Sequence, residues 1–238
     1  MNEAPGFTAF ASQRVLVVGG SSGIGLATAR LAATHGAKVS VAGRNPDRAE
    51  AAAASIGADT EYAAFDMIDE TAVDAFFAER PPFDHIVVTA AAIRSAPVRE
   101  LPLDTARATF ASKFWGPYLV ARFARLTDAG SLTLVSGAAA RRPRAGRAPV
   151  AAASAAIEAL TRVLAAEFAP VRVNCVAPGL VDTPMLRAAR GANAPAPQVP
   201  MARVARPEEI AFQILACAAN PYMTGSIVDV DGGLATTG

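Results

Sequence analysis

Glycines at 19, 23 and 25, interleaved with Ser21, Ser22 and Ile24, form the stretch whose residue types bear most directly on chemistry. Glycine lets a backbone turn tightly and lie against a ligand. A helix that starts in such a turn offers free N–H groups and the positive end of its dipole. That combination binds phosphate. About twenty residues further on, a dinucleotide-binding fold meets the adenosine ribose: a carboxylate there holds a 2′-hydroxyl, and an arginine suits a 2′-phosphate. The segment Gly43-Arg44-Asn45-Pro46 has no carboxylate and does have Arg44, so it favours NADP(H) over NAD(H).

A second group is Arg141, Arg142, Arg144 and Arg147. Such a run is commonly a solvated face. Guanidinium forks also grip carboxylates and phosphates, which makes Arg142 and Arg144 candidates for an acidic group on a small-molecule substrate. Cys175 and Cys217 lack metal or redox spacing and read as small core residues, consistent with a reducing cytoplasm; no metal site is expected. His35 and His85 are isolated and read as lying at element ends.

The elements that must position these residues alternate. Val15 to Val18 is a short continuous apolar run, as in a strand covered on both faces. A helix follows the glycine turn, with Ile24, Ala27, Thr28 and Leu31 at helical spacing, and Gly36 ends it. Further strands are read at Lys38 to Ala42, Thr60 to Ala64, His85 to Thr89, Ser131 to Ser136, Val171 to Ala177 and Gly225 to Val230. Helices are read at Pro46 to Ser55, Asp69 to Arg80, Asp104 (as N-cap) to Leu126, 150 to 168, and from Pro207. Pro184 to Pro200, rich in Ala, Pro and Gly, reads as a lid. This alternation predicts a single-domain, Rossmann-like, doubly wound parallel sheet of about seven strands flanked by helices.

The 238 residues fit one such domain, and 52% hydrophobic content argues for a substantial core. A formal net charge of +1 gives no reason to expect nucleic acid as a partner. No uninterrupted apolar run approaches the ~20 residues of a spanning helix, so no membrane partner is expected. Met1 to Gln13 lacks the basic and apolar pattern of a secretory signal and reads as a short leader.

Four separated motifs together resemble the classical short-chain dehydrogenase/reductase family over nearly the whole chain. Gly19-x-x-x-Gly23-x-Gly25 is similar to its cofactor loop, and Asp66-Met67 to its adenine-contacting pair. Asn174-Cys175-Val176-Ala177-Pro178-Gly179, followed by Thr183, is similar to its segment beside the nicotinamide, and Asp231-Gly232-Gly233 to its C-terminal signature. The resemblance implies strand order 3-2-1-4-5-6-7 and a homodimer or homotetramer. It also implies cofactor contacts from Gly19, Ser21, Ser22, Gly23, Ile24, Gly25, Arg44, Asp66, Met67, Ala90, Pro178, Gly179 and Thr183.

Departures from the family pattern fall where its chemistry lies. The family's catalytic Asn aligns with Lys113, its Ser with Gly137, and its Tyr and Lys with Val150 and Ser154. Valine cannot carry a proton, and losing a placed acid or base forfeits about 10²- to 10⁴-fold in rate. The alignment points Lys113 at the cleft, where its ammonium could stabilise a developing oxyanion or donate a proton; Ser136 and Ser154 are weaker candidates for orienting substrate or ribose. The expectation is an NADP(H)-dependent oxidoreductase with an atypical site. A nucleotide-binding protein without turnover, or a non-redox enzyme of the same fold, remains the alternative.

Overall fold

The computed structural model describes residues 10–190 and 198–236. Seven strands form one parallel sheet: β1 (Arg14–Val18), β2 (Lys38–Gly43), β3 (Glu61–Ala64), β4 (Phe83–Val88), β5 (Leu126–Val135), β6 (Arg172–Pro178) and β7 (Ile227–Val230), in the order β3-β2-β1-β4-β5-β6-β7. The order reverses beside β1, and in open α/β sheets ligands bind outside the carboxyl ends of the strands at such a switch point.

Alternation along each strand builds two cores. Leu16 and Val18 of β1 join Ile86, Val88, Leu132, Leu134, Phe76 and Phe77 on one face. Val15 and Val17 join Val39, Val41, Val87, Ile210, Ile214 and Leu215 on the other. The first face is covered by α3 (Glu70–Ala78), α5 (Gly116–Phe123) and α6 (Ala148–Glu167), the second by α1 (Gly23–Thr34), α2 (Pro46–Ile56) and α8 (Pro207–Ala219). The remaining helices are α4 (Leu103–Phe110) and α7 (Pro184–Arg190). Local chemistry sets several helix starts: Asn45 Oδ1 accepts from Arg48 N at 2.8 Å, and Asp69 Oδ1 from Ala72 N at 3.1 Å.

Some expectations need correction. The long helix read from Asp104 to Leu126 starts at Leu103 with Pro102 as N-cap, passes through a π-helical turn (Ala111–Trp115), and ends at Phe123; Leu126 already belongs to β5. Asp104 lies in the first turn and pairs with Arg107 at 3.1 Å. His85 is not at an element end. It sits inside β4, 4% exposed, bonded to Ser131 Oγ (2.8 Å) and Gln13 Oε1 (2.6 Å), and burial with Arg172 nearby lowers its pKa to about 4. The proposed lid begins with α7, while residues 191–197 of it, like most of the N-terminal leader, lie outside the described residues.

No uninterrupted apolar run approaches the length of a spanning helix, while by length and mean hydropathy α6, with 20 residues, is long and apolar enough to cross a membrane. Its inward face packs on the sheet through Val150, Ala153, Ile157 and Leu164, and it carries a buried Glu158.

Candidate active site

The turn after β1 is shaped by what its glycines lack. Gly19 and Gly23 have φ of +91° and +53°, the left-handed region that a Cβ disfavours. A Cβ on Gly19 would lie 2.5 Å from Ala90 N, one on Gly23 2.9 Å from Thr183 Cγ2, and one on Gly25 would collide with the Gly19 carbonyl. Strand ends β1 and β4 and the segment after β6 therefore meet here, held by Ala90 N donating to Val18 O at 3.2 Å and by Thr89 Oγ1 donating to Val18 O and Gly19 O. Ser22 caps α1 without a side-chain bond, and the first turn of α1 has no acidic residue, so no first-turn carboxylate competes for its N–H groups. Gly23, Ile24 and Gly25 open the helix itself.

Around this turn, Ser21 reaches the end of β2: its Oγ lies 3.6 Å from where a Gly43 Cβ would be. Next to it Arg44 is exposed and makes no hydrogen bond or ion pair with the described residues. Asp66 follows β3, half-buried, its Oδ1 accepting from Ile68 N at 3.2 Å; Met67 is buried against Gly116. Pro178 ends β6. A Gly179 Cβ would stand 2.7 Å from Asp231 Cα, and Asp231 accepts from Gly233 N (2.8 Å) and Ala235 N (2.7 Å). Thr183 Oγ1 accepts from Leu186 N at 3.2 Å, fixing the start of α7. A glycine-walled turn at a helix end without a side-chain cap, with an arginine beside it that has no partner among the described residues, fits the phosphates of a dinucleotide.

Gly137, Val150 and Ser154 lie at the carboxyl end of β5 and in the first turns of α6. Gly137 is extended (φ 165°), and a Cβ there would find Ser154 Oγ at 3.7 Å and Pro178 O at 3.8 Å. Val150 is 4% exposed, and Ser154 is fully buried with no partner for its hydroxyl. Leaving a buried hydroxyl unpaired costs about 1–3 kcal/mol.

Lys113, expected at the cleft, is buried and engaged with backbone carbonyls. It occupies the π-turn, 5% exposed, and its Nζ donates to Ser136 O at 2.7 Å and to Val135 O at 3.5 Å. Burial disfavours its charged form and lowers its pKa to about 8, against the pull of Cys175 and Glu158. Ser136 Oγ donates to Glu158 Oε1 at 3.0 Å, and Arg141 bridges Glu158 (3.0 Å) and Asp229 (2.7 Å). These side chains lock β5, α6 and β7 together. Arg142 donates to Leu234 O at 2.9 Å, and Arg144 is exposed. Glu158 and Asp229 escaped the sequence reading. The available signal was a lone carboxylate between Ile157 and Leu160 in an apolar helix, which must find a cation or a donor when buried.

Sheet order, crossovers and glycine turn define a dinucleotide-binding α/β protein. The chain belongs to the short-chain dehydrogenase/reductase family: the family model described as enoyl-(acyl carrier protein) reductase matches residues 18–235. A short-chain dehydrogenase/reductase, ATR9, of Stachybotrys chlorohalonatus is 33% identical, covering 93% of this chain and 96% of the relative. Among solved structures, a short chain dehydrogenase/reductase family protein superposes with TM-score 0.89 at 34% identity, covering 96% of this chain and 99% of that one. BdcA in complex with NADPH gives TM-score 0.85 at 28% identity, covering 94% and 95%.

Proposed function

We propose that this chain is an NADP(H)-dependent oxidoreductase whose active site departs from the family's usual proton-transfer residues. Arg44 carries the cofactor choice: it is exposed at the end of β2, beside Ser21, with no partner among the described residues, and the segment 43–46 has no carboxylate to compete for a ribose hydroxyl. A similar protein in complex with NADPH supports the reading. Gly19, Ser21, Ser22, Gly23 and the start of α1 would hold the pyrophosphate, Asp66 and Met67 the adenine, and Ala90, Pro178, Gly179 and Thr183 the nicotinamide half. The bound cofactor supplies hydride chemistry.

The protein's own part in that chemistry is small. Val150 moves no proton. Lys113 acts by holding the Ser136 carbonyl rather than by donating to substrate, and Ser136 is committed to Glu158. Ser154 retains a free hydroxyl beside Gly137 for a ribose or substrate oxygen. We place the protein in the cytoplasm, with both thiols free and buried. We also assign it a homodimer or homotetramer built on the outer face of α6, where Ala152, Ala155, Ala159 and Val163 are exposed.

The engagement of Lys113 with backbone carbonyls also favours a second reading, a nucleotide-binding protein without turnover. A fluorescence titration with NADPH, run alongside NADPH oxidation over a panel of ketones, enones and imines, separates the two. The oxidoreductase reading expects saturable binding and consumption with at least one class. Binding without consumption supports the second reading, and absence of binding contradicts both.

A further inference from the structure

The loops following β4 and β5 leave the carboxyl ends of adjacent central strands, the side of the sheet on which the proposed cofactor site lies. Residues 89–102 and 136–147 include Arg94, Arg99, Arg141, Arg142, Arg144 and Arg147, against a single carboxylate, Glu100. The structure divides these arginines. Arg141 is neutralised by Glu158 and Asp229, and Arg142 holds the Leu234 carbonyl. Arg144 and Arg147 have no side-chain partner among the described residues, and Arg94 reaches only the neighbouring Ile93 carbonyl, at 3.1 Å.

The two loops touch. Gly146, with φ of +79°, lies so close to the β4 loop that a Cβ on it would stand 3.5 Å from the Ala96 carbonyl carbon and 3.7 Å from Pro97 N. That contact brings Arg144 and Arg147, two residues before and one after Gly146, alongside the segment that carries Arg94. Arg147 is moreover the N-cap of α6, with no side-chain cap bond and no acidic residue in the first turn. A cation at the positive end of a 20-residue helix is electrostatically unfavourable, and Ser, Thr, Asp or Asn would serve better there. An arriving anion reverses that sign.

We propose that Arg94, Arg144 and Arg147 form an anion-binding subsite at the mouth of the cleft, which takes a carboxylate or phosphate group of the substrate. The proposal rests on the cleft reading above. Arg147 precedes Val150 by three residues, about 4.5 Å along the helix axis. An acid group held there sits within a few bonds of the substrate's reacting atom. It is the group's charge, rather than its shape alone, that guanidinium forks recognise.

The test is thermal unfolding of the full chain, with and without saturating NADPH, at constant ionic strength so that general screening is held fixed. Malonate probes a carboxylate, inorganic phosphate probes a phosphate, and malonamide is the uncharged control. Wild type shows a saturable rise in Tm with one or both anions and none with malonamide. The triple variant R94S/R144S/R147S loses at least tenfold in anion affinity while its NADPH titration is unchanged. Arg147→Ser alone, which installs a better N-cap, raises the Tm of the unliganded protein and weakens the anion response, a pair of effects that misfolding would not produce. No saturable shift in wild type, an equal shift with malonamide, or a shift retained by the triple variant overturns the subsite. Failure of NADPH to bind overturns the cofactor reading instead, and the titration without NADPH still reads the arginines.

Discussion

An ammonium 5% exposed among strands and helices must find acceptors, and Lys113 finds two backbone carbonyls at the end of β5. Its charged form is still the costly one: burial lowers its pKa from 10.5 to about 8. The unfolded chain therefore binds more protons between those values, and stability rises with pH across that window. The contribution is fully present above pH 10.5 and is lost as pH falls through about 8, a swing of about 3 kcal/mol. Lys113→Met removes the titration but not the cavity-filling stem. Denaturant unfolding from pH 7.5 to 10.5 is expected to show a steeper rise for wild type than for the variant; parallel curves would deny the buried charge. At this scale the sequence was legible where a residue's identity dictates its geometry. Gly19 and Gly23 adopt positive φ because a Cβ disfavours it, and Asp69 and Asn45 cap helices because their side chains reach the right N–H. Lys113 was not legible in that way, since a flexible four-carbon stem can end in solvent, cleft or core, and only the packing around it decides.

The strand–turn–helix of β1 and α1 was readable as an element because four consecutive buried residues and three glycines leave few alternatives. Helix ends were less so: the π-turn that breaks the helix carries Lys113, whose contact with Ser136 lies 23 residues away in sequence. π-bulges often accompany functional sites. Two glycine substitutions separate tight elements from open ones. Gly25→Ala drives a methyl into Gly19 and Thr89 and is expected to destabilise by about 1–3 kcal/mol and to weaken NADPH binding with it. Gly137→Ser meets ordinary van der Waals space at an extended φ and is expected to stay within about 0.5 kcal/mol of wild type. Chemical denaturation of both variants checks the contrast, and equal effects would mean that the close approach at Gly25 is not required.

For the molecule as a whole, the alternation of strands and helices fixes layers and handedness, and the seven-stranded order is the one that the family resemblance implied. The ionic ties that close it were not legible. Arg141 to Glu158 and Asp229 joins residues 17 and 88 positions apart, and nothing local in the sequence announces such a meeting. The fold brings Gly23 to Thr183, Gly179 to Asp231, and Arg44 beside the Ser21 turn, and these border the site proposed above for a 2′-phosphorylated dinucleotide. A charge-assisted contact of that kind is worth about 1.5–3 kcal/mol, so its loss costs roughly tenfold or more in affinity. The most direct measurement is a pair of equilibrium titrations, NADPH and NADH, on wild type and on Arg44→Asp. The account predicts that wild type binds NADPH at least ~10-fold more tightly than NADH and that the variant loses or inverts that preference. Equal affinity of wild type for the two cofactors would contradict it.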